Sequence, residues 1–186
     1  MKPSFAEAQA LLARAEQLLA PDEVDRAVAR VAGAITATLG QQQPLLLAVM
    51  RGSVVFAGHL LPLLQFPLDF DYVDATRYGE ATRGSELEWR VDVPAAVRGR
   101  MVLIVDDILD EGHTLAAIRR RLLDAGARQV LIAVFADKRL NRAKPVAADF
   151  IGVEVPDRYV FGFGMDVGGW WRNLPAVYAL RQDERN

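Results

Sequence analysis

Val102–Thr114 reads VLIVDDILDEGHT, and the organisation of the whole chain can be worked out from it. Val102–Val105 is uninterrupted apolar sequence, the pattern of a strand covered on both faces. The chain then places Asp106, Asp107, Asp110 and Glu111 in quick succession, followed by Gly112, His113 and Thr114. Beyond them Leu115–Leu123 has helical periodicity and ends before Gly126, and Val130–Phe135 is a second buried strand. Strand, polar loop, helix, strand is the unit of a parallel α/β sheet.

Working upstream, Pro44–Met50 (PLLLAVM) is another buried-strand run, and Gly52 opens a helix-like stretch to about Leu64. Leu68–Ala75 alternates aromatic and β-branched residues, as a strand does. Residues 76–86 (TRYGEATRGSE) form a Gly-, Thr- and Ser-rich loop that returns through Leu87–Val91 as a hairpin. At the start of the chain, Leu11, Leu12, Ala15, Leu18 and Leu19 predict an amphipathic helix ending before Pro21, and Asp22–Leu39 predicts a second. Residues 1–43 are therefore expected to be a helical N-terminal extension. Downstream, Phe150–Val155 and Tyr159–Phe163 read as short strands before a Gly- and Trp-rich tail, so 150–186 is expected to close over the sheet as a hood. The expected architecture is α/β: one domain, residues 1–186, with a doubly wound, mainly parallel sheet, helices on both faces, a small hood and a mobile hairpin lid.

Composition limits the function classes. The 186 residues suit one domain with one substantial core. Hydrophobic residues at 52% and charged ones at 25% are those of a soluble globular protein. A formal charge of −2 supplies no field to attract nucleic acid or an anionic membrane. With no cysteine, disulfides, thiolate zinc sites and cysteine nucleophiles are excluded. Glu7, Arg14 and Glu16 interrupt the apolar positions of the N-terminus, unlike a signal peptide, and a cytoplasmic location is expected.

The acidic loop carries the chemistry. In open α/β sheets ligands bind beyond the carboxyl ends of the strands, where this cluster is expected to lie. Buried carboxylates without partners cost several kcal/mol, roughly, so ribose hydroxyls or a hard cation are natural partners. Gly112 and Thr114 at a helix N-terminus offer close backbone approach, free N–H groups and a hydroxyl to a phosphate monoester. One segment thus suits both halves of a ribose 5-phosphate. Asp110 or Thr114 alone would read as an ordinary acidic helix start; the ordered set favours a site.

VLIVDDILDEGHTL resembles the phosphoribosyl-pyrophosphate motif of type I phosphoribosyltransferases. The resemblance implies that Asp106 and Asp107 bind the ribose hydroxyls, and that Asp110, Glu111, Gly112, His113 and Thr114 hold the 5′-phosphate. Many members have Glu-Asp where this chain has Asp-Asp, which keeps the charge. His113 stands where several members have Lys; it suits either partial protonation beside a phosphate or a plain exposed loop position.

From about Leu45 to Leu180 the order of motifs is similar to that of hypoxanthine-guanine phosphoribosyltransferases. That similarity implies that Lys138 donates to the purine O6, Tyr159 stacks on the base, Val160 presents backbone groups and Asp166 holds a magnesium ion or its waters. It implies Mg2+ near Asp106, Asp107 and Asp166, and Arg172 near the pyrophosphate. Met50, Arg51 and Gly52 match the family's pyrophosphate loop, where members often have a cis peptide, which would fall between Met50 and Arg51. Residues 76–86 match its mobile lid, where Tyr78 keeps the pattern and Arg77 replaces the usual Ser with a cation. Asp110 is the candidate general base for the purine N7 proton. Taken singly, Lys138 reads as a surface lysine, Tyr159 as a core aromatic and Arg172 as a solvated charge; their order behind the donor motif lifts them together. Trp170 and Trp171 read as packing or interface residues, and His59 as structural.

The implied substrates are 5-phosphoribosyl 1-diphosphate with hypoxanthine or guanine, giving IMP or GMP, in a homodimer or homotetramer. Two alternatives stay open: a same-fold enzyme preferring xanthine or another base, and a noncatalytic nucleotide-sensing regulator. A receiver-like phosphate-binding module accommodates Asp106 and Asp107 but leaves the order Lys138, Tyr159, Asp166 unexplained.

Overall fold

The computed structural model describes residues 2–77 and 87–181, without the side chains of residues 76 and 77. Its centre is a six-stranded sheet of β2 (Leu45–Met50), β3 (Asp69–Arg77), β4 (Leu87–Val91), β5 (Met101–Leu109), β6 (Gln129–Lys138) and β7 (Phe150–Val155), in the order β4-β3-β2-β5-β6-β7. All neighbours run parallel except β3 and β4, which pair antiparallel. The chain leaves β2 for β3 on one side and returns to β5 on the other. This reversal opens a crevice at the carboxyl ends of β2 and β5, the place where open α/β sheets bind ligands.

Apolar packing covers both faces of the sheet. On one, helices α2 (Pro21–Leu39) and α3 (Val54–Leu60) bury Val28, Ile35, Phe56 and Leu60 against Leu46, Leu103 and Phe135. On the other, α4 (His113–Asp124) buries Leu115, Ile118 and Leu122 against Leu47, Ile104 and Ile132. Alternate residues of β2 and β5 therefore feed different clusters, which accounts for their continuous apolar runs. The doubly wound α/β expectation is met.

Several boundaries differ from the sequence reading. β5 continues to Leu109, so Asp106 and Asp107 lie within the strand and not beyond it. Pairing with β6 carries it on, since Asp106 stands opposite Val134 and Ile108 opposite Ala136. β6 likewise runs on to include Lys138.

The N-terminal stretch is not wholly helical. Helix α1 spans Phe5–Arg14 and stops where Ala15 turns extended; Glu16–Leu19 is strand β1. Leu18 and Leu19 fit a helical period in the sequence, yet they pack on the main core as part of a strand. β1 pairs antiparallel with β9 (Val177–Ala179), which pairs with β8 (Val160–Phe161). The hood is thus a three-stranded sheet drawn from both ends of the chain, while β7 belongs to the main sheet. Arg158 fastens it, donating to Glu16 Oε2 at 2.6 Å and to the Leu180 carbonyl at 2.9 Å.

Candidate active site

The crevice opens into a cavity of about 390 Å³, whose walls include Met50, Arg51, Gly52, Asp106, Asp107, Asp110, Lys138, Tyr159, Val160, Asp166 and Arg172. An adjoining cavity of about 380 Å³ adds Glu111, Gly112, His113 and Thr114. Residues spread across four sequence segments therefore converge on one place. Arg77 supplies the last backbone position of β3. Tyr78 and residues 78–86 of the expected lid lie outside the described residues.

The floor is the pair Asp106 and Asp107, both buried. Asp106 Oδ1 accepts the Asp107 backbone N–H at 2.9 Å. Burial, and then the adjacent Asp107 charge, push the Asp106 carboxyl well above the ordinary carboxylate value. Burial also raises Asp107, and Arg172, with Nη1 at 3.8 Å, pulls it part of the way back.

Glycines bring the walls onto this floor. A Cβ on Gly52 would overlap the Asp107 carboxylate, and one on Gly164, which has φ +100°, would overlap the Gly52 carbonyl. The Met50–Arg51 peptide is cis, in keeping with the family resemblance.

At the end of β5, Gly112 takes φ +83° and starts α4. The first-turn N–H groups of that helix have no intrahelical acceptor, and Gly112, His113 and Thr114 line the second cavity. A carboxylate beside a phosphate cradle would repel its ligand, but the Glu111 side chain is ion-paired with Arg142. Asp110 Oδ2 is 2.6 Å from Lys138 Nζ, so the candidate base and the candidate O6 donor are in direct contact. Tyr159 exposes 45% of its surface and lines the cavity beside Val160. It is not the core aromatic that its isolated position allowed.

Arg172 and Asp166 enter from the hood side as an ion pair. Asp166 Oδ2 also accepts the Gly169 N–H at 2.7 Å, and Arg172 Nη1 donates to the Gly164 carbonyl at 2.6 Å. Among the described residues, no three of His, Cys, Asp or Glu are grouped so as to hold a metal ion. Asp106, Asp107 and Asp166 thus share the cavity without forming a ready-made cage.

The sequence reading missed Lys144, which donates to the Leu109 carbonyl at 2.7 Å and is ion-paired with Asp137. It ties the end of β6 to the residue before Asp110, but its place in a polar loop carries no periodic signal. Gly164 was also missed, although the FGFG spacing around it hints at tight turns. Asp74 lines the cavity as well.

A model of the phosphoribosyl transferase domain matches residues 14–168. The chain belongs to that family. Among phosphoribosyl transferases, the hypoxanthine-guanine phosphoribosyltransferase of Bacillus subtilis (strain 168) is 32% identical over 165 residues, 88% of this chain and 92% of that protein. The enzyme of the same name from Lactococcus lactis subsp. lactis (strain IL1403) is 36% identical over 146 residues, 78% of this chain and 79% of that one. The crystal structure of a hypoxanthine phosphoribosyltransferase from Staphylococcus aureus superposes with a TM-score of 0.85 at 25% identity, covering 92% of this chain and 94% of that one. The family match takes in the phosphoribosyl motif, Lys138 and Tyr159. No helix among the described residues is long and apolar enough to cross a membrane.

Proposed function

We propose that this phosphoribosyl transferase joins hypoxanthine or guanine to 5-phosphoribosyl 1-diphosphate, giving IMP or GMP and diphosphate, as a purine-salvage enzyme. One observation carries the reading: Lys138 and Tyr159 share a cavity with the buried acidic pair and the Met50–Gly52 loop. An ammonium satisfies the O6 acceptor of a 6-oxopurine and opposes the amino group of adenine. The half-exposed Tyr159 ring offers a stacking face to the base.

Each residue then has a role set by its position. Asp106 and Asp107 accept from the ribose hydroxyls, and the backbone of Glu111–Thr114 with the Thr114 hydroxyl holds the 5′-phosphate. Met50, Arg51, Gly52 and Arg172 line the path of the departing diphosphate. Val160 presents backbone groups to the purine edge. As the bond from the anomeric carbon to diphosphate oxygen breaks and the bond to purine N9 forms, positive charge grows on the sugar above the acidic pair. Asp110 takes the N7 proton. Positioning and fixed charge supply most of the acceleration.

The acidic set also fits Mg2+. Two buried carboxylates lie side by side, and Arg172 comes no nearer to Asp107 than 3.8 Å, so countercharge is in deficit. Mg2+ keeps its waters and binds through one or two carboxylates plus substrate phosphates, which suits a site without a preformed cage. The chemistry such an ion would supply there is countercharge for the leaving diphosphate. Asp106 and Asp107 would hold the ion, with Asp166 the third carboxylate lining the same cavity.

Initial rates with hypoxanthine, guanine, xanthine, adenine and uracil test the proposal. Turnover of hypoxanthine and guanine well above xanthine, adenine and uracil supports it. Preference for xanthine or uracil would reassign the base, and binding of nucleotide without any turnover would favour a sensor.

A further inference from the structure

We propose that residues 2–15 clamp the turn from Asp166 to Arg172 and thereby set the affinity of the site for the diphosphate end of the donor. This rests on the reading of Arg172 as a diphosphate-binding residue. The turn is tightly wound: Gly168 and Gly169 have φ of +58° and +84°, and Trp171, which is not a glycine, has +68°. A left-handed tryptophan persists only where its surroundings hold it. The N-terminal segment provides that hold. Trp170 Nε1 donates to the Pro3 carbonyl at 2.9 Å and Trp171 Nε1 to the Ala8 carbonyl at 2.8 Å. Lys2 Nζ lies 4.0 Å from the Trp170 ring, and Pro3 fills the space where a Gly168 Cβ would stand.

The feet of the same turn stand in the active site. Asp166 and Arg172 pair there, and Arg172 donates to Gly164, which is stacked on the carbonyl of Gly52 in the diphosphate loop. A continuous run of contacts thus leads from the Ala8 carbonyl through Trp171 to Arg172 and Gly52. Ala8, which accepts from Trp171, is the buried residue of helix α1. That helix lies almost wholly ahead of residues 14–168, the stretch that the family model matches.

Two full-length double variants approach the contact from opposite sides. Trp170→Phe with Trp171→Phe removes both indole N–H donors and leaves a smaller aromatic ring at each position. Ser4→Ala with Glu7→Ala dissolves the capping box that starts α1, without touching the turn. Phe5→Ser, 65% exposed on α1, is the control expected to change nothing. Calorimetric titration with inorganic diphosphate and Mg2+ is expected to show affinity about fivefold weaker in each double variant, the scale of one lost hydrogen bond. Hydrogen exchange at the amides of Val167–Arg172 is expected to speed up. In steady state the donor KM rises by a similar factor, while purine KM and kcat stay within about twofold. Unchanged diphosphate affinity in both variants overturns the proposal, as does an equal shift in donor and purine parameters. If the wild-type chain transfers to no base, the functional reading fails, while the titration and the exchange rates still decide the clamp.

Discussion

Lys138 Nζ and Asp110 Oδ2 are 2.6 Å apart, joining the end of β6 to the loop that follows β5. Only 11% of the Lys138 side chain is exposed, against 48% for Asp110. The lysine is therefore held in place while the carboxylate faces the cavity. On the proposed reading, a purine with O6 toward Lys138 would present N7 to Asp110.

Asp110→Asn keeps the size of the group and removes the proton acceptor. Turnover is expected to fall about a hundredfold or more, the usual scale of general-base catalysis, with donor affinity nearly intact. Lys138→Ala is expected to act mainly on the purine, raising its KM about tenfold. Steady-state kinetics with each substrate varied separates the two. A small change in kcat for Asp110→Asn would remove Asp110 as the base.

Lys144→Met keeps the stem of the lysine but leaves the partly buried Asp137 and the Leu109 carbonyl without their donor. A loss of about 1–3 kcal/mol of stability is expected in urea titrations. Because Leu109 precedes Asp110, kcat is expected to fall as well, and Lys144→Arg to restore part of both.

Two glycines give opposite results on substitution by alanine. Gly164 has φ +100° and no room for a Cβ, so Gly164→Ala is expected to cost about 2–3 kcal/mol and to displace the diphosphate loop. Gly33 lies within α2 facing open space, and Gly33→Ala is expected to stabilise by about 0.5–1 kcal/mol. Thermal unfolding of the two variants reads both signs.

The acidic floor sets a pH dependence in metal-free protein. Both carboxyls are raised above their ordinary value in the folded chain, so the folded state binds protons more readily than the unfolded one there. Their contribution to stability is therefore most favourable at low pH and declines as pH rises through the raised values. Asp106→Asn is expected to stabilise chelator-treated protein more at pH 8 than at pH 5. An equal difference at the two pH values would show that the pair is not strained by its charge.

The legible parts of the molecule were those in which local pattern and burial agree. β2 and β5 are apolar without interruption because a covered sheet requires it, and α2 and α4 carry apolar stripes because one face of each is buried. The phosphoribosyl loop is one continuous segment, so its residues could be read together. β1 was hidden because Leu18 and Leu19 continue a helical period, and only pairing with Val177–Ala179 makes them a strand. Lys144, and the lock between Trp171 and Ala8, depend on partners brought together by the fold alone.

The hood also constrains the order of assembly. Ala8 and Trp171 are 163 residues apart in sequence, and β1 meets β9 over a comparable separation. Contacts so distant are costly to close before the intervening sheet exists, because loop entropy must be met first. The parallel core can form from its own neighbouring strands, whereas the β1–β9 seam and the Ala8–Trp171 contact close only when the two ends meet. The hold of the N-terminal segment on the turn that ends at Arg172 is then expected to be completed late, and a refolding sample is expected to regain its spectroscopic sheet signal before its full affinity for diphosphate.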